Sequence, residues 1–506
     1  MKVCKIQSII VFLVLTFLSA AIFSGSKLLY NFTGEVQNYF LGVSVASAGD
    51  VNNDGFSDII IGSPAVNRFV DSSNPFPGRA YVYSGLTGET LHVFTGEANF
   101  DHFGTSVSGA GDVNNDGFDD LIVGAPYNDS GGLGSGRAYV YSGQTGSIIY
   151  TFTGIGHTTY DSHEAIGRSV SSAGDVNNDN YDDVIVGSSN SDNVVVYSGI
   201  NGDTLYLLSR GDCCANFGYS VAGAGDVDND GFSDFIIGAP ATNRNDLQNN
   251  HEAGAAFVYS GASGNIIYAF TGEAEDDEFG VSVSSAGDVN NDGYDDLIIG
   301  ARSNTAGGLN AGRAYVFSGF DGDTLYVLTG DLAGWFGHSV ASAGDFNNDG
   351  FDDFVVGAPI DVAGGGNGGR VFVFSGKTGD TLLFMSGEAA SDAFGHSVAS
   401  AGDLDADGFS DLIIGAYLND ETAVNAGQAY VFVQCCVGDR GDLNDDGTDA
   451  NILDLTFLVD FIFRGGVESP CPEAADITAD GTPSNILDLT YLVDFIFRGG
   501  PPPGPC

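Results

Sequence analysis

The chain of 506 residues carries 67 Asp and Glu side chains against 16 Lys and Arg, a net charge of −51. This charge repels phosphate backbones and anionic lipid surfaces, and it excludes nucleic-acid binding and membrane-surface binding as functions. Because 43% of the residues are hydrophobic, the chain can bury a core, and its excess of carboxylates indicates that it binds cations.

The first 25 residues have the features of a secretory signal peptide. Lys2 and Lys5 precede an apolar run at residues 9–18, and small residues follow at 19–21. A membrane anchor is the alternative, but the run is shorter than the ~20 residues that a span needs. We therefore predict a secreted or cell-surface protein with no membrane insertion after signal removal.

Six cysteines follow the signal, and an even number favours disulfides in an exported protein while leaving their pairing open. They are Cys213, Cys214, Cys435, Cys436, Cys471 and Cys506.

A nine-residue Asp-rich segment recurs seven times along residues 26–434. The first copy is Asp50–Asp58, and successive copies start 51 to 63 residues apart. Each repeat contains four short β-rich runs bounded by Gly, Asn and Asp turns, with no helical periodicity between them. Four-stranded units repeated in this way are propeller blades, and we predict an all-β, seven-bladed β-propeller.

The ends of the repeat array indicate that the ring is closed. The last repeat stops at Tyr430–Val433 and lacks its fourth strand, whereas Leu28–Glu35 resembles the fourth strand Thr90–Glu97 of the first repeat. We expect the N-terminal segment to complete blade seven, which removes the open edge of an unfinished sheet.

Each Asp-rich segment has the pattern of a calcium loop. Oxygen-bearing side chains occupy positions 1, 3, 5 and 9, and position 7 is an aromatic residue that offers its backbone carbonyl. Alternate oxygens on a tight turn converge on one hard cation, and three negative charges favour Ca²⁺ over Mg²⁺. The loops contain no His or Cys, which argues against zinc and copper. The alternative is an Asx turn that caps itself without metal, but seven copies with intact spacing favour calcium.

The predicted ligands of these seven sites are Asp50, Asn52, Asp54, Phe56 and Asp58; Asp112, Asn114, Asp116, Phe118 and Asp120; Asp175, Asn177, Asp179, Tyr181 and Asp183; Asp226, Asp228, Asp230, Phe232 and Asp234; Asp288, Asn290, Asp292, Tyr294 and Asp296; Asp345, Asn347, Asp349, Phe351 and Asp353; and Asp403, Asp405, Asp407, Phe409 and Asp411.

Two further motifs accompany the loops. Phe103-Gly104 is followed by Gly124-Ala125-Pro126, and equivalent pairs of motifs start at Phe217 and at Phe336. The repeats resemble the FG-GAP family, which includes the propeller heads of integrin α subunits. The resemblance implies adhesion or recognition and calcium in some blades, whereas all seven loops are complete here.

Several repeats depart from the family motifs. Repeat one has Phe40-Leu41-Gly42, repeat three has Ile166-Gly167 and Gly187-Ser188-Ser189, and repeat five ends in Gly300-Ala301-Arg302. The inserted ligand-binding domain, stalk, membrane span and tail of integrins are missing from the sequence.

The loops between strands two and three, and the connections between blades, differ in length and are expected at the end of the ring opposite the Asp loops. They contain Trp335, His157, Tyr160, His163 and the Cys213-Cys214 pair. Functional loops on a rigid scaffold tend to be the variable ones, so we expect a protein or glycan ligand there.

Nothing in the sequence has the pattern of a catalytic site, and we predict that the protein is not an enzyme. His338 and His396 share one repeat position and are interpreted as a structural slot. Four arginines at another recurring position are interpreted as framework residues: Arg79, Arg137, Arg313 and Arg370.

Residues 437–506 form a second, helical unit. The segment 451–466 is repeated at 485–500 with one substitution, and its apolar residues have the spacing of an amphipathic helix. An acidic loop precedes each predicted helix, as in an EF-hand without its entering helix. The predicted calcium ligands are Asp442, Asn444, Asp446, Thr448 and Asp454 in the first loop and Asp476, Thr478, Asp480, Thr482 and Asp488 in the second.

The two halves resemble a type I dockerin, which implies docking to a cohesin-like partner. They depart from it by one extra residue before Asp454 and Asp488, and Thr478 weakens the second site. A calcium-stapled cap without a partner is the alternative. The tripeptide Arg440-Gly441-Asp442 matches an adhesion motif, but Asp442 is assigned to calcium and we interpret the match as coincidence.

These features predict a secreted, calcium-binding adhesion or recognition protein. Its propeller binds a protein or glycan, and its tail docks to an extracellular partner. The alternatives are a component of an extracellular polysaccharide-degrading assembly and a structural surface protein.

Overall fold

A computed structural model describes two parts of the chain. The first is residues 26–434, apart from 35, 65–75, 156–164, 189–191, 211–215, 241–252, 331–332, 361–367 and 406–408. The second comprises residues 452–464, 477–478 and 484–498. The predicted signal peptide, the six cysteines, His157, Tyr160 and His163 lie outside the described residues.

The first part is built from seven antiparallel four-stranded sheets. The innermost strands are β2 (Val45–Gly49), β6 (Val107–Gly111), β10 (Ile166–Gly174), β14 (Ser220–Gly225), β18 (Phe279–Gly287), β22 (Ser339–Gly344) and β26 (Phe394–Gly402). The second strands are β3 (Asp58–Ser63), β7 (Asp120–Ala125), β11 (Asp183–Ser188), β15 (Asp234–Ala239), β19 (Asp296–Ala301), β23 (Asp353–Ala358) and β27 (Asp411–Ala416).

The third and fourth strands form the outer half of each blade. The third strands are β4 (Arg79–Tyr83), β8 (Arg137–Tyr141), β12 (Asn193–Tyr197), β16 (Ala255–Tyr259), β20 (Arg313–Phe317), β24 (Arg370–Phe374) and β28 (Gln428–Gln434). The outermost strands are β5 (Thr90–Thr95), β9 (Ile148–Thr153), β13 (Thr204–Ser209), β17 (Ile266–Thr271), β21 (Thr324–Thr329), β25 (Thr381–Ser386) and β1 (Ser26–Thr33).

The hydrophobic core lies between neighbouring blades. Every residue of the second strands is buried, because each of these strands is covered on both faces by adjacent blades. Phe103, for example, packs on Tyr139 and Tyr141 in the cluster between blades one and two. The equivalent cluster of Leu41 and Ile413 joins blades one and seven and closes the ring.

The glycine of the Phe-Gly motif is required by close packing. Gly104 has φ of +88°, and a Cβ atom on it would clash with the carbonyl oxygen of Arg79. Only glycine adopts this conformation without strain and leaves room for the neighbouring chain segment.

The predicted closure by the N-terminus is confirmed. Strand β1 pairs antiparallel with β28, from Ser26 opposite Gln434 to Thr33 opposite Gln428. The sheet order β1-β28-β27-β26 therefore contains both ends of the propeller.

Two of the arginines interpreted as framework residues connect adjacent blades. Arg137 of blade two lies 2.9 Å from Glu97, which follows the outermost strand of blade one. Arg313 of blade five makes the same ion pair with Glu273 after blade four. Both pairs are partly exposed, so each contributes little on its own.

The second part contains helices α1 (Ile452–Arg464) and α2 (Ile486–Arg498), as the sequence periodicity predicts. Leu458, Leu489 and Leu492 pack together with Ile477 in a small apolar core. Neither helix has the length or the apolar character needed to cross a membrane.

Candidate functional site

The Asp loops join the first two strands of every blade, and their tight turn is local in origin. Position 4 is Asn with φ of 54° to 57° in six loops, a left-handed conformation that Asn tolerates. In the first loop, Asp50 accepts hydrogen bonds from the backbone N–H groups of Asp54 and Gly55 at 3.0 and 2.9 Å. The position 1 carboxylate thus shapes the turn, as the self-capping alternative predicts, and still faces the loop interior.

The position 9 carboxylate connects the loop to the rest of its blade. Asp58 is fully buried and accepts hydrogen bonds from Val51 N–H and Gly85 N–H, both at 3.0 Å. Gly85 begins the Thr-Gly turn between strands three and four. The Asp loops and the Thr-Gly turns therefore lie at the same end of the ring, as the alternation of antiparallel strands predicts.

Position 3 provides the test of whether the loops fit a cation. The amide oxygens of Asn177, Asn290 and Asn347 are buried and have no hydrogen-bond partner. A buried carbonyl oxygen without a partner is costly in a folded protein, and a bound cation would satisfy it. Because hard cations such as Ca²⁺ take oxygen ligands, the donor set fits calcium.

Two loops have Asp in place of Asn at position 3, and there the acidic cluster is dense. Carboxylate oxygens of Asp226, Asp228 and Asp234 lie within 4.8 Å of one another. The equivalent residues of loop seven, at positions 403, 405 and 411, make a second group of this kind. The structure thus brings positions 1, 3 and 9 together.

Position 5 contributes to the turn in a different way. Asp230 lies outside the three-residue group, and its carboxylate accepts the N–H of Phe232 at 3.0 Å. The same hydrogen bond forms in loops one to three, five and six. Asp407 of loop seven lies outside the described residues.

Most of the predicted ligands in the C-terminal unit also fall outside the described residues, namely Asp442, Asn444, Asp446, Thr448, Asp476, Asp480 and Thr482. Asp454 and Asp488 are fully buried in the first turns of α1 and α2. Asp488 accepts hydrogen bonds from the backbone N–H and the hydroxyl of Thr478 at 3.0 and 2.9 Å. The fold therefore joins two predicted ligands that are ten residues apart.

Burial makes the position 9 carboxyls weak acids when no cation is present. It raises the pKa of Asp58 to about 7, against the lowering effect of the Gly85 hydrogen bond and with help from the charge of Asp54. The corresponding carboxyls of loops two to six also have pKa values of about 7 for the same leading reason.

This shift predicts an unusual pH dependence for the metal-free protein. A carboxyl whose pKa is higher in the folded than in the unfolded state stabilises the fold at low pH, and this contribution is lost as the pH rises through the folded pKa. In EDTA, the melting temperature is expected to fall between about pH 5 and about pH 7.5. Thermal unfolding measured in EDTA at several pH values across this pH range tests the prediction. A melting temperature that rises with pH would contradict it. Saturating calcium should suppress the decline, because the cation replaces the protons.

Position 8 of four loops connects neighbouring blades, a contact that the repeat pattern did not predict. Asp119 in loop two accepts a hydrogen bond from Asp50 N–H of loop one at 2.7 Å. Equivalent hydrogen bonds, of 2.9 to 3.0 Å, are made by Asp182, Asp295 and Asp352. One feature of the sequence could have indicated this contact: position 8 is Asp or Ser in all seven loops, although it is not one of the predicted calcium ligands.

Replacing Asp119 is expected to weaken the contact between blades one and two. Asp119→Ala removes a charge-assisted hydrogen bond and should lower the free energy of unfolding by about 1.5–3 kcal/mol. Asp119→Ser is the matched control with a smaller loss, because loops one, four and seven have serine at this position. Urea denaturation in saturating calcium measures both variants, and an Asp119→Ala protein as stable as the wild type would show that the contact is unimportant.

At the opposite end of the ring lies a cavity of about 470 Å³. The residue after each Phe-Gly pair, or its counterpart, lines it, one from every blade: Val43, Thr105, Arg168, Tyr219, Val281, His338 and His396. The cavity therefore lies on the ring axis. His338 and His396 do occupy one recurring slot, as interpreted from the sequence, but this slot faces an open cavity.

The repeats match a known family model. The FG-GAP repeat model matches residues 41–83, 103–141, 217–259, 279–317, 336–374 and 394–432. Repeat three, whose motifs depart from the pattern, is not among these matches. The ring is a seven-bladed FG-GAP β-propeller.

Curated proteins similar to this FG-GAP propeller include integrin α subunits. Integrin alpha-5 of Xenopus laevis is 36% identical over 234 residues, which is 42% of this chain and 21% of that protein. Integrin alpha-V of Gallus gallus is 33% identical over 219 residues, 40% of this chain and 20% of that protein. The chain thus matches about a fifth of the length of these relatives.

Among solved structures, a crystal structure of BBS1N in complex with ARL6DN superimposes with a TM-score of 0.50 over 81% of this chain and 97% of that chain. At 9% identity, this match supports the fold alone.

The integrin relatives bear on three predictions for the FG-GAP propeller. Integrin α homologues are non-enzymatic adhesion receptors, which agrees with the prediction that this chain is not an enzyme. Their propellers bind divalent cations, consistent with Ca²⁺. They are extracellular or cell-surface proteins.

Proposed function

We propose that the protein is a secreted, calcium-loaded recognition protein with a signal peptide at residues 1–25, a propeller at 26–434 and a docking unit at 437–506. The propeller binds a protein or glycan ligand at the end of the ring that carries the axial cavity. The observation that supports this assignment best is the division of the ring into two ends. Hydrogen bonds within and between the Asp loops rigidify one end of the ring. The opposite end has the loops of variable length and the open cavity, and is therefore the end proposed to bind a ligand.

In this proposal calcium is structural and occupies all seven loops, with one or two further ions in the docking unit. The buried, unpartnered amide oxygens at position 3 support metal binding in loops three, five and six, and the shared spacing of all seven loops extends the proposal to the other four. Metal analysis of the dialysed full-length protein should find eight or nine Ca²⁺ per chain. A value well below seven would contradict complete loading.

The helical unit is proposed to dock to a cohesin-like extracellular partner. Its two helices expose matching apolar side chains in equivalent positions, Ile452 with Ile486, Leu453 with Leu487 and Phe463 with Phe497, each more than half exposed. Paired exposed apolar residues of this kind are typical of interaction surfaces. This observation favours docking over a cap without a partner.

Binding of the full-length protein to arrays of extracellular proteins and glycans tests the recognition function, and purified cohesin domains test the docking unit. Calcium-dependent binding to a protein or glycan that persists after deletion of residues 437–506 would support a ligand of the propeller. Calcium-dependent cohesin binding that Leu453→Asp combined with Leu487→Asp abolishes would support docking. Folded, calcium-loaded protein that binds none of these probes would argue instead for the structural surface role.

A further inference from the structure

Two departures from the repeat pattern bring arginines into the axial cavity. Arg168 follows Ile166-Gly167 in blade three, and Arg302 follows Gly300-Ala301 in blade five, where four other repeats have proline. Both side chains line the cavity. The whole chain has only 16 basic residues, so two of them in one small cavity make it a local exception to a strongly acidic protein.

The cavity retains uncompensated positive charge. Arg302 donates through Nε to Glu278 at 2.6 Å, and this ion pair neutralises it. Arg168 donates to the Tyr219 hydroxyl at 3.2 Å, and no carboxylate in the described part of the chain forms an ion pair with it. Although burial would raise the pKa of Tyr219, Arg168 and Arg302 together lower it. The cavity therefore favours an anion.

The neighbouring histidines are neutral and offer one donor and one acceptor. His338 Nδ1 lies 3.1 Å from Arg302 Nη1, which can only donate. His338 Nδ1 is therefore the acceptor, and the ring proton of His338 is on Nε2. His396 Nδ1 lies 3.2 Å from the carbonyl of Val43, which can only accept, so its Nε2 is an acceptor. Burial lowers the pKa of His338 well below its usual value and that of His396 to about 4.

Hydroxyl groups complete the wall of the cavity. Ser44, Ser106 and Ser169 line it, and each accepts a backbone N–H of the following blade at 3.0–3.1 Å. A hydroxyl that accepts one hydrogen bond still has its own hydrogen to donate. The wall thus combines one anchoring charge with several neutral donors and acceptors, and with the aromatic side chains of Tyr127 and Tyr417.

We propose that the axial cavity binds a sugar acid, with the carboxylate held by Arg168 and the hydroxyls by the serine, tyrosine and histidine groups of the wall. A guanidinium pairs with a carboxylate through two parallel hydrogen bonds, and a volume of about 470 Å³ accommodates one monosaccharide acid with its bound water. This inference rests on the proposed recognition function, because it names the chemical class of ligand at the same end of the ring.

The chain contains a built-in reporter for the test. Its single tryptophan, Trp335, has the Arg302 guanidinium 5.1 Å from the centre of its ring and stacks with His338 at 5.9 Å. Titration of the calcium-loaded full-length protein with glucuronate is expected to give a saturable change in tryptophan fluorescence, whereas glucose, its neutral counterpart, gives none.

Two single-residue variants test whether glucuronate binds in the cavity or elsewhere on the ring. Arg168→Gln should weaken glucuronate binding about tenfold or more. Arg137→Gln, which removes an arginine of an ion pair outside the cavity, should leave binding unchanged. Matched melting temperatures show that both variants are folded. The inference is overturned by absence of a saturable response to glucuronate, by an equal response to glucose, or by unchanged binding in Arg168→Gln.

The glucuronate titration and the binding arrays test the sugar-acid site and the general recognition function separately. A wild-type protein that ignores glucuronate but binds an extracellular ligand on the arrays overturns only the cavity inference. An Arg168→Gln protein that loses glucuronate but keeps that ligand supports the cavity as a sugar-acid site and places the other ligand elsewhere on the ring.

Discussion

Removal of calcium with EDTA at pH 7.5 is expected to lower the melting temperature of the full-length protein by about 10 °C or more. At free calcium tenfold above the dissociation constant, each site adds about 1.4 kcal/mol to folding, so seven sites add about 10 kcal/mol. This is comparable to the whole stability of an ordinary domain, about 5–15 kcal/mol. For about 400 residues with an unfolding entropy of about 2.1 cal/mol/K each, the change corresponds to about 12 °C.

The structure explains why the effect should extend through the ring. Without a cation, Asp226, Asp228 and Asp234 hold their carboxylate oxygens within 4.8 Å of one another, and like charges at this distance repel. Four loops also connect to the preceding loop through a position 8 aspartate, as Asp119 does to Asp50. Loss of the ions therefore weakens both the loops and the contacts between blades.

Single-site variants of loop four provide the control. Asp226→Ala should lose one bound Ca²⁺ and about 1.4 kcal/mol of the calcium-dependent stability. Asp228→Asn should change little, because five other loops have Asn at this position. Calorimetry with added Ca²⁺ or Mg²⁺ measures both, and restoration of stability by Mg²⁺ as effectively as by Ca²⁺ would contradict the assignment of the metal. An unchanged melting temperature in EDTA would show that the loops cap themselves.

Deletion of residues 26–33 is expected to open the ring and to cause self-association. Strand β1 is the outermost strand of blade seven, and without it β28 becomes an unpaired edge that can pair with another chain. The deletion also removes the apolar contacts of Leu29, Tyr30 and Phe32 between blades seven and one. At about 1.5–2 kcal/mol for each of these partly buried side chains, the loss is about 5 kcal/mol.

Point variants in the same strand test the packing contribution without removing the edge. Phe32 stacks on Tyr83 of blade one with ring centroids 4.0 Å apart, so Phe32→Ala should lower the free energy of unfolding by about 3 kcal/mol. Leu28 is 40% exposed, and Leu28→Ala should change it by less than about 1 kcal/mol. Light scattering and urea denaturation measure these effects. A deletion variant that stays monomeric and as stable as the wild type would mean that β1 does not close the ring.

The predictions that succeeded rest on local patterns. The alternation and turn residues of each repeat determine its four strands, and the missing last strand with its copy at Leu28–Glu35 determined the closure. The helices α1 and α2 follow from apolar spacing within 13 residues. Such patterns can be recognised because strand and helix periodicities are properties of consecutive residues.

The proximity of positions 1, 3 and 9 is likewise a local property, because these positions lie within nine residues of one tight turn, and in loop four the structure brings them together. The spacing did not show that the position 9 carboxylate, as in Asp58, is fully buried and shared with the Gly85 turn. That contact depends on strand three and the turn after it, which lie more than 20 residues away.

The sequence by itself therefore determined the fold class, the number of blades, the closure of the ring and the residues of the Asp loops. Only the tertiary structure decided which residues of different blades meet. In the sequence, Arg302 is a departure from the family motif and His396 occupies a recurring slot, yet both line one cavity together with Arg168. The physical reason is that closing seven blades brings one residue from each to a common axis, and no pattern within a single repeat contains that contact.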